Sequence, residues 1–336
     1  MTRSFPRCST FLALLAVLLC CGIALAQSST SQDSQEQDQS TTFKVSVDVV
    51  QLFFNVKDKH NGLIGGLKKE DFQLFEDGKP QTLKYFTAES DLPLTLGIMI
   101  DTSGSQTRVL GMEKEVGASF LKQILREKDL AFVINFDISV ELAQDLTNSV
   151  QRLRKALDET RINIGRPNGP GGLGGGTIPT QGPPKGTLLY DAVYLASHDM
   201  LSHEVGRKAL ILLTDGQDQG SRYRVHDAIE AAQKADTICY VLLVEDRGFY
   251  GGGGYFGEGD MKKMTAETGG RVIDVGNRPE KLRQAFDEIS NELRSQYSIG
   301  YTPTNVARDG GFRHIEIKTK DGYKIQSRNG YYAVSR

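Results

Sequence analysis

Leu94-Thr95-Leu96-Gly97-Ile98-Met99-Ile100-Asp101-Thr102-Ser103-Gly104-Ser105 is the stretch on which the fold turns. Its first seven residues carry no charge and offer almost no polar side chain, the pattern of a strand buried on both faces of a parallel sheet. The run stops on a carboxylate. An Asp at the carboxyl end of such a strand lies where open α/β sheets place their ligand sites. Ser103 and Ser105 follow with Gly104 between them, a glycine that permits a tight path, so three side-chain oxygens can face one point.

Outward from this stretch, strand and helix alternate. Further strands are predicted at 130–136, 209–214, 237–244 and 271–275, and helical periodicity at 106–126, 148–159, 187–202, 223–235, 258–268 and 279–296. Residues 139–142 follow the second strand too closely for a crossover, which makes them an antiparallel edge strand. The expected architecture is α/β: a doubly wound, mostly parallel six-stranded sheet with helices on both faces, Rossmann-like, spanning 92–295.

The flanks read differently. Val45, Val47 and Val49 alternate with polar neighbours, and Leu52-Phe53-Phe54-Asn55-Val56 continues as strand. Phe72-Gln73-Leu74-Phe75-Glu76 and Leu83-Lys84-Tyr85-Phe86 bracket Asp77-Gly78, a hairpin signal. After the last helix, 296–301, 312–319, 323–327 and 331–334 again alternate, with turns at Asp309-Gly310 and Asp321-Gly322. A closed doubly wound domain has little room for these strands, so 296–336 is expected to pack with 42–90 as a small antiparallel β module built from both flanks.

Ahead of all this, Arg3 and Arg7 precede an apolar run at 11–26 that ends in Ala24-Leu25-Ala26, the small-x-small pattern of a signal-peptidase site. Cleavage before Gln27 would export the chain to the periplasm or the cell exterior and leave no transmembrane span in the mature protein. The run is short of the ~20 apolar residues that cross a bilayer. A lipid anchor at Cys20 or Cys21 is the alternative, opposed by Leu19 and Cys20 standing where a small residue usually precedes a lipidated Cys. Residues 27–41 are Ser, Gln, Thr, Asp and Glu without an aromatic residue, a disordered linker by composition. Removal of 1–26 leaves Cys239, inside a strand-like apolar run, as an inert core thiol with no disulfide partner.

Charged residues are 24 % of the 336-residue chain and the net charge is -2, which favours no nucleic-acid or acidic-membrane partner. Asp-x-Ser-x-Ser alone is a modest signal, arising by composition in roughly one chain in ten of this size. Two further segments raise its weight. Gly186-Thr187-Leu188-Leu189-Tyr190-Asp191 opens a helix, and Leu212-Leu213-Thr214-Asp215-Gly216 ends a strand, both at the same edge of the sheet. In this order the set resembles the von Willebrand factor A (VWA) or integrin I-type domain and its metal-ion-dependent adhesion site (MIDAS), Asp-x-Ser-x-Ser, then Thr, then Asp. The resemblance implies that Asp101, Ser103, Ser105, Thr187 and Asp215 hold a divalent cation, directly or through water. Asp191, a helical turn after Thr187, reads instead as a structural hydrogen-bonding residue. The flanking segments, including Lys69-Glu70-Asp71-Phe72, Glu76-Asp77-Gly78-Lys79-Pro80 and Arg328-Asn329-Gly330-Tyr331, are similar to the acidobacterial-type VWFA-related family, which implies no known ligand.

An oxygen set with two carboxylates suits a hard cation. Mg²⁺ fits it first, with Mn²⁺ or Ca²⁺ as substitutes, while Zn²⁺ is disfavoured without His or Cys. The resemblance implies a partner protein offering an Asp or Glu carboxylate to the ion. Other chemistries fail on spacing. Lys185-Gly186-Thr187 is no phosphate loop, so no nucleotide site is expected. The histidines form no His-Glu-x-x-His, and Ser103 lacks the Gly-x-Ser-x-Gly setting and a His base. The expectation is an exported, non-enzymatic, metal-dependent binding or adhesion protein. The alternative is a structural or assembly component of the envelope in which the metal only stabilises loops. Glycine-rich 165–186 and 248–259 are expected near the metal end, either shaping a ligand surface or serving as plain linkers.

Overall fold

A computed structural model describes residues 49–88, 92–163, 186–244 and 257–335. The leader, the 27–41 segment, Val45 and Val47, and most of both glycine-rich stretches lie outside the described residues. In chain order the strands of the first flank are β1 (Val50–Lys57), β2 (Phe72–Glu76), β3 (Lys79–Gln81) and β4 (Leu83–Thr87). The α/β region follows as β5 (Leu94–Asp101), α1 (Leu110–Ile124), β6 (Leu130–Phe136), β7 (Val140–Thr147), α2 (Val150–Glu159) and α3 (Leu189–Leu195). It continues as β8 (Arg207–Thr214), α4 (Val225–Lys234), β9 (Thr237–Leu243), α5 (Glu258–Thr268), β10 (Val272–Asp274) and α6 (Pro279–Arg294). The second flank supplies β11 (Tyr297–Tyr301), β12 (Phe312–Thr319), β13 (Lys324–Ser327) and β14 (Gly330–Tyr332).

The central sheet has six strands in the order β10-β9-β8-β5-β6-β7. Every pairing is parallel except β6 with β7. β5 and β8 are buried along their whole length, as a parallel strand covered by helices on both faces must be. Val116, Phe120 and Ile124 of α1, Leu153 and Leu157 of α2, and Phe286 and Ile289 of α6 fill one face. Leu189 and Val193 of α3, Ile229 of α4, and Met261 and Met264 of α5 fill the other. The chain builds β5, β6 and β7 outward in one direction, then returns to β8 on the opposite side of β5. Strand order therefore reverses between β5 and β8, and the crevice at their carboxyl ends is the ligand-binding position of this architecture.

The flanks form two four-stranded sheets, β13-β1-β11-β4 and β14-β12-β2-β3, each drawing strands from both ends of the chain. Leu52, Phe54, Phe72, Leu74, Tyr297, Ile299 and Ile317 bury their side chains between them. Phe72 meets Phe54, Phe86 and Tyr297 with ring centroids 5.3, 5.6 and 5.4 Å away, distances at which aromatic rings attract beyond their buried area.

Some local expectations are corrected. The Asp77-Gly78 turn, with both residues at positive φ, returns into Lys79–Gln81 and not into the Leu83 strand. β4 instead crosses to the other sheet and pairs with β11. The first helix begins at Leu110, because Gly104–Gln106 is a separate 3₁₀ turn. The helix at 187–202 starts only at Leu189 and widens to a π-helix over Ala196–Leu201. The edge strand runs on to Thr147, with irregular register against β6.

One carboxylate ties the two parts together. Glu292, near the end of α6, accepts from Lys57 Nζ at 2.8 Å, from Arg271 Nε at 2.8 Å and from Gln326 Nε2 at 3.1 Å. Its backbone carbonyl accepts from Asn55 Nδ2 at 2.8 Å. Burial pushes this carboxyl upward, but Arg271 and Lys57 outweigh it and hold it below the ordinary carboxylate range. Removing one partner of a buried pair leaves the other charge stranded, at about 3–5 kcal/mol. Glu292→Ala is accordingly expected to lower the unfolding free energy by about that amount, read as a lower urea midpoint. An unchanged midpoint would show that this cluster carries no stability.

Candidate metal site

The register of the central sheet sets the site. Ile100 of β5 lies beside Leu213 of β8, so the next residues, Asp101 and Thr214, come together at the strand ends. Asp101 is fully buried. Its Oδ2 accepts from Thr214 Oγ1 at 2.7 Å and its Oδ1 from the Ser103 amide at 2.9 Å. Ser103 Oγ and Ser105 Oγ lie 2.9 Å apart. Both serines are half-exposed and Gly104 is exposed, which leaves this side of the loop open to solvent.

Asp215 follows Thr214 and is 3 % exposed. Its Oδ1 accepts from the Gln217 amide at 3.1 Å, and Thr214 Oγ1 accepts in turn from the Gly216 amide at 3.0 Å. A close packing contact supports this turn: a Cβ at Gly257, the cap of α5, would fall 1.5 Å from the Gly216 carbonyl oxygen. Thr187 is 5 % exposed and precedes α3. Its carbonyl accepts from the Gln219 amide at 2.9 Å, joining the second loop to the third. Direct bonds thus bring Asp101, Ser103 and Ser105 together, Asp215 acts on Asp101 through its charge, and Thr187 is placed by the loop-to-loop bond.

Asp191 behaves as a structural residue. Its Oδ1 accepts from the Arg222 and Tyr223 amides at 2.8 and 2.9 Å, holding the loop after Asp215 against α3.

Two positioning residues escaped the sequence reading. Thr214 is one, orienting Asp101 while bracing the third loop. Asp137 is the other: its Oδ2 accepts from Thr102 Oγ1 at 2.7 Å and its carbonyl from the Leu188 amide at 2.8 Å, so it clamps the first loop to the second. The signal for Asp137 was available, since Phe136-Asp137 ends β6 as Ile100-Asp101 ends β5. Thr214 had none beyond its neighbour.

The electrostatics of Asp101 are set by burial and by a neighbouring acid. Burial, then the charge of Asp215, push the Asp101 carboxyl from 3.8 up to about 7, against the lowering bonds from Ser103 and Thr214. Two acids are held close in a dry place, an arrangement that favours protonation or a bound cation. Among the described residues no group of three His, Cys, Asp or Glu side chains could hold a metal ion. A cation held here would draw on hydroxyls as well as carboxylates, the all-oxygen set of a hard divalent ion.

No protein-family profile matches the chain, and no curated protein matches it. Among solved structures it is similar to the conserved hypothetical protein BatB from Bacteroides thetaiotaomicron, at 19 % identity and a TM-score of 0.44, covering 60 % of this chain and 100 % of that one. It is also similar to proximal thread matrix protein 1 from the mussel byssus with a zinc-occupied MIDAS motif, at 14 % identity and a TM-score of 0.46. That likeness covers 62 % of this chain and 48 % of the mussel protein, about half its length. A third is the SpRpn10 VWA domain, at 11 % identity and a TM-score of 0.37, covering 59 % and 95 % of the two chains.

Proposed function

We propose that this chain is an exported VWA-domain protein that binds an acidic group of a partner protein through a divalent cation held by Asp101, Ser103, Ser105, Thr187 and Asp215. The observation that carries the reading is the pairing of two buried carboxylates with open-sided serine hydroxyls at the point where strand order reverses. Bound there, a divalent ion supplies a Lewis-acidic position that a carboxylate can fill. The chain's own residues do the rest. Thr214 and the Ser103 amide fix Asp101, Asp137 fixes the first two loops, and Gly104 leaves the approach clear.

The reading is of a binding module and not an enzyme, supported by Ser103 Oγ meeting the Ser105 hydroxyl and, among the described residues, no imidazole. Export rests on Arg3, Arg7 and the Ala24-Leu25-Ala26 terminus of the apolar leader. Among the described residues no helix is long and apolar enough to cross a membrane.

Calorimetric titration of the full chain with Mg²⁺ and Mn²⁺, with Zn²⁺ as the control for a softer ion, tests the metal. Binding is expected for the wild type, with at least a hundredfold loss in Asp215→Ala. Water-proton relaxation by bound Mn²⁺ then tests the open position: glutarate should lower the relaxivity by displacing water, and glutaramide should not. No Mn²⁺ binding, or indifference to glutarate, would overturn the proposal.

The raised Asp101 carboxyl gives the pH dependence. The fold favours its neutral form, so the stability tied to that proton is present below 3.8 and is lost as pH rises through about 7. Protons and cation compete for the same oxygens. The gain in melting temperature on adding Mn²⁺ should accordingly grow as pH climbs toward 7 and level off above it. A gain that is flat from pH 5 to about 8 would contradict this linkage.

A further inference from the structure

The metal reading leaves one buried acid unused. Glu113, in the first turn of α1, is 1 % exposed, and neither of its carboxylate oxygens has a hydrogen-bond partner. The buried residues around it on α1 are Leu110, Val116, Phe120 and Leu121, so a core role alone would be served by another apolar side chain. A buried carboxylate without partners is strongly disfavoured. Burial, and after it the charges of Asp101 and Asp215, push the Glu113 carboxyl well above the ordinary range.

A second, independent oxygen points the same way. Gln106 closes the 3₁₀ turn after Ser105 and is fully buried. Its Nε2 donates to the Val244 carbonyl at 3.5 Å, and the Val244 amide donates to Thr214. The Gln106 Oε1 has no partner. Between the turn after Ser105 and the first turn of α1 the chain therefore buries three side-chain oxygens without a hydrogen-bond partner, two of Glu113 and one of Gln106. The three acids Asp101, Asp215 and Glu113 do not form a cage that could grip an ion directly. What fits is a set of donors carried on the ion: Mg²⁺ usually keeps several waters, and each such water has two polarised protons to place.

Resting on the cation site above and extending it, we propose that Glu113, with Gln106, accepts hydrogen bonds from waters held on that cation and so acts as an outer carboxylate that sets its affinity. Partners of this kind typically change metal affinity by tenfold to a hundredfold.

Mn²⁺ titration of the full chain, as wild type, Glu113→Gln, Gln106→Leu and Asp215→Ala, with melting temperatures taken in chelator, decides the matter. Glu113→Gln should weaken Mn²⁺ binding about tenfold or more while melting in chelator at or above the wild-type temperature, because an unpartnered buried acid has been removed. Gln106→Leu should weaken binding severalfold. If Glu113→Gln keeps wild-type affinity while Asp215→Ala loses it, Glu113 is a core acid only, and the metal site stands without it. If the wild type binds no Mn²⁺, the site and this extension fall together. Should Glu113→Gln not fold, Gln106→Leu reads the same waters with the carboxylate in place, and unchanged affinity there overturns the proposal.

Discussion

Two buried acids at the strand ends where the strand order reverses, whose charges would repel if both were ionised, are the constraint around which this molecule is arranged. Asp101 and Asp215 are brought there by register, because Ile100 lies beside Leu213, β5 ends at Asp101, and β8 ends at Thr214 with Asp215 directly after it. Nothing in an apolar sheet favours two acids at one edge, and the raised Asp101 carboxyl records the cost. The surrounding bonds are best understood as holding that unfavourable pair in a fixed geometry. Thr214 restrains one carboxylate, Gln217 the other, and Asp137 locks the neighbouring loops. Were a ligand to bind at the proposed site, these bonds would already order it, which limits the entropy lost on binding.

The distribution of rigid and adaptable parts follows from the same logic. Strand ends and backbone bonds hold Asp101 and Asp215, whereas Ser103 and Ser105 face solvent on a short turn opened by Gly104. The buried acids are therefore the more tightly bonded part, and the neutral hydroxyls lie on the solvent side. The contact of Gly257 with Gly216 extends the support to α5, since no larger residue fits between that helix and the third loop.

The sequence made the central sheet legible because its strands are continuous apolar runs closed by polar residues, a pattern with few other readings. The β7 edge shows in the sequence as a start but not in extent, since residues 142–146 are half-exposed or exposed and mixed in character. The Asp77-Gly78 signal marks the turn but not its return strand: a turn signal fixes where a chain reverses, and only the packing of β4 on β11 decides which strand follows. The candidate ligands stood out through their order along the chain. Thr214 and Asp137 did not, because their roles depend on partners 113 and 35 residues away. Glu113 was hidden for a further reason: within an amphipathic helix an acid reads as surface, and only burial reveals it as an exception.

The interleaving of the two flanks has a mechanical meaning. β1 lies between β11 and β13, antiparallel to both, with Val50 facing Tyr301 and Lys57 facing Lys324. Tension applied to the chain ahead of Val50 runs along β1, so it loads the hydrogen bonds to both neighbours in shear, many at once, where a peeling geometry would break them singly. Behind those ladders stands Glu292, gripping Lys57 at the far end of the same strand. A load entering at the N-terminal side is thus shared among two ladders and a buried ion pair before any of it reaches the sheet that carries Asp101.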